Sequence, residues 1–472
     1  MFEMLKNIEN QNCQSFGFCM VDPRINALSE LLMNEIRQIA FYTVKIGEYE
    51  TINKEIVSKC VEALCVDFSN INFIEKNFID IYHNFVKFKI QMKNVYNSIH
   101  ENSNLPYETI KSPFDEELKS SIIQMIKRGQ KLLKTNHLYV SKQTEQLFEL
   151  VYILIKDTSR NISRIKDFEN DYTKYDFEVL RFLNIANFPS TRKEKLKRRI
   201  QEFIEINYQT RVDLQNILEE NYGPKTPATV NLSQEKGHSI LVSGDNFKEL
   251  ELVLEATKDE DINVYTHDML FIAHSYEKFR QYKNLKGHFG TNNPRFDFSN
   301  FKGVIYVTKN YEQRIDSIVK GCIYTTNSLM PKGISKIENN NFEPLIKGAL
   351  NHEEFSGTPK NNTIEVPYNE NKIKNIKKNK TTLIVGATAK DKTNSIELFS
   401  PSEISLIYKI CKEENKIEKI IFANCYLQTL VLSIILKIKF KYKIQFGKCP
   451  EYYVNPNLIK CLKEEYDIEF IE

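Results

Sequence analysis

The sequence predicts an α plus α/β multidomain chain, with an N-terminal helical bundle followed by two doubly wound α/β domains. Two observations carry this. Through the first half, apolar residues recur at helical spacing, and no alternating strand stands out before about residue 238. Beyond it, short apolar runs alternate with helical segments, the pattern of βαβ units around a parallel sheet.

The first helix is read in DPRINALSELLMNEIRQIAFYTVKI, residues 22–46. Ile25, Leu28, Leu32, Ile36 and Ile39 fall on one stripe, with Asp22 as N-cap and Pro23 at the first helical position. Further helices are expected at 77–97, where Phe78, Ile81, Phe85 and Phe88 keep helical register, and at 115–134, 141–168 and 193–221. Aromatic residues on these stripes read as core.

Gly and Pro in EENYGPKTPATVNLSQEKG, 219–237, end the helices and lead into the first strand. Strands are expected at 239–244, 262–267, 302–308 and 322–327, with a helix at 246–257. A second polar connector, 351–380, precedes a smaller α/β unit with strands at 382–386, 419–424 and 443–447. Its helices are expected to start at Ser400, a capping box with Pro401 and Glu403, and at Asn455 followed by Pro456. The division that follows is a helical domain at 1–232 and α/β domains at 233–365 and 366–472.

Composition narrows the function classes. The 472 residues are 27% charged and 41% apolar, as in globular proteins. A net charge of +3 provides no general footprint for nucleic acid. The basic runs STRKEKLKRR, 190–199, and KIKNIKKNK, 372–380, read as solvated faces or linkers. The most apolar run, 430–440, is short and interrupted by Lys437 and Lys439, so no membrane partner is expected. The start MFEMLKNIENQNC lacks an apolar signal region, and a cytoplasmic location is predicted. Nine scattered cysteines do not form a disulfide framework and are expected as reduced thiols.

Common catalytic signatures are absent: there is no Walker loop, GxGxxG, HExxH, GxSxG or paired CxxC. Three places remain. Asp245, in GHSILVSGDNF, stands at a strand-to-helix corner, where α/β folds hold ligands. His267 and His274, in THDMLFIAH, read either as metal ligands beside Asp268 or as polar residues at a strand end and on a helix. Cys13 and Cys19 flank Gly17 and supply half of the four thiolates that a cubane or structural zinc takes.

Several segments, in order, resemble the hybrid cluster protein family, also called prismane or hydroxylamine reductase and related to nickel carbon monoxide dehydrogenases. They include CQSFGFCMVDPRINALSELL, NYGPKTPATVNLS, ILVSGDNFKELELVLEAT, INVYTHDMLFIAHSYEKFRQYKNLKGHFG, CIYTTNSLMPKGI and the tail FGKCPEYYVNPNLIKCLKEEYDIEFI. The resemblance implies Rossmann-like α/β domains and clusters of iron, sulfur and oxygen. The family's ligand positions fall on other residues here: a histidine of a Gly-His-Asp step on Asp245, and a glutamate of a Thr-His-Gly-Glu step on Met269. A ligand cysteine falls on Tyr311, the persulfide-bearing cysteine on Thr388 and a second glutamate on Leu427.

The resemblance with these substitutions implies a homologue that has lost the hybrid cluster and its redox catalysis. Its role would be binding, regulation or assembly with a protein partner or as a homodimer. The expected cofactor is none, or one iron–sulfur cubane shared between two subunits through Cys13 and Cys19. The enzyme alternative is an iron–sulfur oxidoreductase of the hydroxylamine reductase type. A third reading is a small-molecule site in the vacated cavity, lined by Tyr311, His267 and Asp245.

Overall fold

The computed structural model describes residues 23–48, 52–65, 75–104, 110, 121–135, 141–168, 173–290, 294–309, 321–327, 333–358, 362–366, 381–385, 395–398, 417–422, 427–446 and 456–470. They fall into two compact units. One draws on Met1–Thr210, Cys425–Phe440 and Cys449–Glu469, the other on Arg211–Asn424, Lys441–Lys448 and Phe470–Glu472.

The chain begins with helices α1 (Pro23–Ile46), α2 (Lys54–Leu64), α3 (Glu75–Glu101), α4 (Ile122–Thr135), α5 (Lys142–Lys166), α6 (Thr173–Leu183) and α7 (Lys193–Tyr222). A one-stripe reading of α1 is too narrow, because every residue from Ile25 to Thr43 is buried. Its polar residues stay inside by pairing. Arg37 donates to Glu30 Oε1 at 2.6 Å and to the Tyr152 hydroxyl at 2.8 Å, and Lys89 Nζ lies 2.7 Å from Glu35 Oε2. A buried charge without such a partner would cost several kcal/mol, on the order given for ion burial. Helix α4 approaches α1 at Gly129, where an added Cβ would stand 1.8 Å from the Ala27 carbonyl oxygen.

Helix α5 starts at Ser141, whose hydroxyl accepts from Thr144 N at 3.2 Å. Asn207 of α7 donates to Asp157 Oδ2 at 2.7 Å and to Thr158 Oγ1 at 2.8 Å, holding two buried polar residues of α5. Lys166 bridges Asp176 at 2.6 Å and Ser58 at 2.8 Å, which ties α5 to α6 and α2.

The region expected to be helical up to residue 232 contains a strand, β1 (Ala228–Asn231). It pairs antiparallel with β8 (Thr363–Val366), inside the stretch expected as a polar connector. Four residues with one buried position leave too little alternation to be read locally.

Between these lie β2 (His238–Ser243), α8 (Phe247–Thr257), β3 (Ile262–His267), a 3₁₀ segment (Asp268–Ser275), α9 (Glu277–Arg280), β4 (Leu285–His288), α10 (Pro294–Asn300), β5 (Val304–Val307), β6 (Ile323–Thr325), β7 (Ser335–Lys336) and α11 (Glu343–Asn351). The six-stranded sheet runs β4-β3-β2-β5-β6-β7, with every pair parallel. Counted from its first strand this order is 3-2-1-4-5-6, so the direction of winding switches beside β2. Strand β2 is buried on both faces, as central parallel strands are. Leu241, Tyr265, Phe298, Phe301, Ile305 and Val307 pack into one core cluster.

The C-terminal part adds β9 (Thr381–Val385), β10 (Ser395–Leu398), β11 (Ile417–Phe422), α12 (Leu427–Phe440), β12 (Lys443–Phe446), α13 (Pro456–Tyr466) and β13 (Ile468–Phe470). Its sheet is ordered β10-β9-β11-β12-β13, and the β10-β9, β9-β11 and β11-β12 pairs are parallel. Although α12 and α13 alternate with these strands in sequence, they group with the helical unit. There Lys193 of α7 reaches Glu465 of α13 at 2.6 Å. The helix expected from Ser400 lies outside the described residues. No helix among the described residues is long and apolar enough to cross a membrane.

Candidate functional site

The candidate site is built at the carboxyl ends of β2, β3 and β5, beside the switch in strand order. Ser243 is in register with His267 across β2 and β3, and with Val307 across β2 and β5. After β2 the chain turns through Gly244, at φ +143°. A Cβ at this position would stand 1.9 Å from Thr308 Oγ1, so the turn closes tightly on the end of β5. Thr308 N donates to Ser243 O at 2.9 Å, and Asp245 N donates to Thr308 Oγ1 at 3.4 Å.

Asp245 sits at the tip of this corner, as the sequence suggests, and is only 3% exposed. Asn246 caps α8 by accepting from Glu249 N at 3.0 Å. Glu249 in turn accepts from Lys309 N at 2.8 Å and from the Thr326 hydroxyl, fixing the chain where it leaves β5 and β6. Sequence reasoning missed Glu249, since its partners lie 60 and 77 residues away.

At the end of β3, both ring nitrogens of His267 are engaged. Nδ1 lies 2.8 Å from Ser243 Oγ and Nε2 lies 3.3 Å from Asp297 Oδ2. The carboxylate oxygen accepts, so Nε2–H points to Asp297, and Nδ1 shares its hydrogen bond with the Ser243 hydroxyl. Ser243, His267 and Asp297 are all buried. The serine, histidine and aspartate are in triad order, but a substrate carbonyl has no path to a hydroxyl with no exposed surface.

A second histidine network lies beside it. The Thr266 hydroxyl is 2.9 Å from His274 Nε2 and 3.0 Å from His288 Nδ1, so it joins the two rings. Burial pushes His274 down to about 4, against a partial offset from Gly287. His288 lies well below the usual histidine value, through burial first and then its neighbours His267 and His274. These are neutral core imidazoles at pH 7, and His288 was not visible as their partner from spacing. His267 and His274 therefore both make protein contacts, in line with their reading as polar residues at a strand end and in the segment after it.

Asp268 and Met269 follow. Asp268 has φ +58°, in the left-handed region that glycine enters freely, and Met269 is buried at 6% exposure. The structure brings Asp245 and the His267–Asp268–Met269 step to the ends of adjacent strands. Leu427 is the first residue of α12. Tyr311, Thr388, Cys13 and Cys19 lie outside the described residues.

At the positions that the resemblance implies for the ligands, the residue types are a poor fit to a cluster of iron, sulfur and oxygen. Such a cluster takes thiolates, imidazole and carboxylates, whereas the positions that the resemblance implies hold no thiolate or imidazole and, besides Asp245, carry Met269, Tyr311, Thr388 and Leu427. A thioether or an alkyl chain supplies no charge to hold iron. The imidazole nearest in sequence to Met269, that of His267, spends both nitrogens on Ser243 and Asp297.

A model of the Prismane/CO dehydrogenase family matches residues 6–396. The hydroxylamine reductase of Thermodesulfovibrio yellowstonii is 25% identical over 370 residues, covering 76% of this chain and 66% of that protein. The hydroxylamine reductases of Methanocella arvoryzae and Syntrophobacter fumaroxidans are 35% and 34% identical over 154 residues, covering 32% of this chain and 28% of each. The chain thus spans 66% of the length of the first of these curated relatives and 28% of the other two. A solved structure of acetyl-CoA synthase/carbon monoxide dehydrogenase aligns with 99% of this chain and 74% of that one, at a TM-score of 0.34 and 10% identity. A likeness that distant carries no argument.

Proposed function

This chain belongs to the Prismane/CO dehydrogenase family, and from that premise we propose that it keeps the family's fold without the hybrid cluster or its redox catalysis. Its role is to bind, regulate or assemble with a protein partner or a second copy of itself, in the cytoplasm. The two parallel sheets are taken as Rossmann-like domains, within a division at 1–232, 233–365 and 366–472.

One observation carries the proposal. The Thr-His-Gly-Glu step reads here as Thr266, His267, Asp268 and Met269, and Asp268 retains a glycine-like φ of +58°. A positive φ where the resemblance puts a glycine supports Met269 as the counterpart of the ligand glutamate. That counterpart is a buried thioether. At the neighbouring switch point Thr308 closes on Gly244, where an open fold would leave a crevice for a ligand. Of the residues in the small-molecule reading, His267 and Asp245 are buried, and Tyr311 lies outside the described residues.

Iron and acid-labile sulfide, measured on the full chain made and purified without oxygen, test this reading. Absence of both is the expected result. Several irons per chain together with hydroxylamine turnover would overturn it.

The second reading is favoured by the names of the relatives, which are hydroxylamine reductases. It takes the chain as an iron–sulfur oxidoreductase, or as a dimer sharing one cubane through Cys13 and Cys19. On that reading Cys13→Ser abolishes visible absorbance and weakens the dimer, and an unchanged spectrum and oligomeric state dispose of it.

A further inference from the structure

Away from the candidate site, at the amino end of β6, a cysteine and a histidine form a pair that the cluster question does not involve. Cys322 immediately precedes β6, and His352 immediately follows α11. Cys322 Sγ lies 3.4 Å from His352 Nε2, and His352 Nδ1 lies 3.3 Å from the Glu353 carbonyl oxygen. A carbonyl oxygen only accepts, so Nδ1 carries the proton. That leaves Nε2 as the acceptor for the thiol hydrogen. Nucleophile, base and orienting acceptor thus stand in line, the arrangement that activates nucleophilic thiols.

Access distinguishes this thiol from the others described. Cys60, Cys65 and Cys461 are buried. Burial pushes the Cys461 thiol up to about 12 and the Cys60 thiol higher still, and Cys65 donates to the Glu62 carbonyl. Cys322 and His352 are both partly exposed. Beside Cys322, Gly321 is exposed, and among the described residues nothing beyond its own chain neighbours lies within 4 Å of where a Cβ on it would stand.

We propose that Cys322 is a peroxide-reactive thiol, with His352 as the base that activates it. His352 Nε2 takes the thiol proton, and the thiolate attacks one oxygen of hydrogen peroxide. The S–O bond forms as the O–O bond breaks, and the departing hydroxide takes the proton back from His352 to leave as water. Sulfur is oxidised by two electrons to sulfenic acid and the peroxide is reduced by two. The product is then open to attack by a second thiol.

The test treats the reduced full-length chain with hydrogen peroxide and a dimedone probe. Labelling at each cysteine is followed over time by peptide mass spectrometry. Native Cys322 should label about tenfold faster than the same residue in the chain unfolded in guanidinium, where the pair is gone. His352→Ala should lose that advantage, and added imidazole should restore part of it. A native rate no faster than the unfolded one overturns the proposal. An undiminished rate in folded His352→Ala does so as well. The native-against-unfolded comparison needs no variant, so it decides the matter even if His352→Ala fails to fold.

Discussion

Ser243 Oγ lies 2.8 Å from His267 Nδ1, and both residues are buried. The contact joins the ends of β2 and β3 where a doubly wound sheet ordinarily opens toward its ligand. Here the same groups hold the sheet end together. His267→Ala should lower stability by about 3 kcal/mol, from lost hydrogen bonds, a cavity and a more poorly partnered Asp297. Ser243→Ala should cost about 1 kcal/mol. Urea unfolding of both variants checks the order, and equal stability of all three proteins would contradict a structural role.

The His274 imidazole is buried and neutral, with its folded value at about 4 against 6.5 when unfolded. Between these values the unfolded chain binds the extra proton. This contribution to stability is therefore complete above pH 6.5 and is lost as pH falls toward 4. The loss amounts to about 3 kcal/mol, at about 1.4 kcal/mol per unit. His288 is shifted in the same direction and adds to it. Denaturant titrations at pH 7, 5.5 and 4 should show this fall, and His274→Asn should flatten it.

The left-handed Asp268 makes a sharper point about register. Asp268→Gly should change stability by less than about 1 kcal/mol, because glycine adopts this backbone freely. Asp268→Val should lower it by about 1–2 kcal/mol, the steric cost of that region for a branched residue. Calorimetric melting of both variants decides this.

Position 269 now belongs to the interior. Met269→Glu should destabilise the chain by about 2–4 kcal/mol, because it buries an acidic group with no partner designed for it. Thermal unfolding of this variant, purified with and without iron in the medium, provides the check. Stabilisation by iron would mean that the position still faces a metal.

In the helical unit, Gly129→Ala would put a methyl group 1.8 Å from the Ala27 carbonyl oxygen. The helices must separate to accept it, at about 2–3 kcal/mol. A melting temperature equal to that of the natural chain would contradict the close approach of α1 and α4.

Much of the fold was legible because it is local. The run INVYTH is β3 from its first residue to its last, and Asn246 caps α8 where a strand-to-helix corner requires it. What was hidden depends on distant partners. Strand β1 exists through β8, well over 100 residues later, and α12 and α13 group with helices from the start of the chain. The burial of α1 on all sides depends on ion pairs to Lys89 and contacts to Tyr152, which no stripe reveals. At the site, the strand-to-helix corner that holds Asp245 was readable, as a strand running into a helix capped by Asn246. The Ser243, His267 and Asp297 contacts were not, because hydrogen-bond partners across strands leave no spacing to read.

The central claim is tested most directly by iron and acid-labile sulfide per chain, with the visible spectrum, on protein made without oxygen. The account predicts neither element and no visible absorbance. About two irons per chain in a dimer would point to a cubane at Cys13 and Cys19. A larger iron content with hydroxylamine reduction would contradict the account and restore the reductase reading.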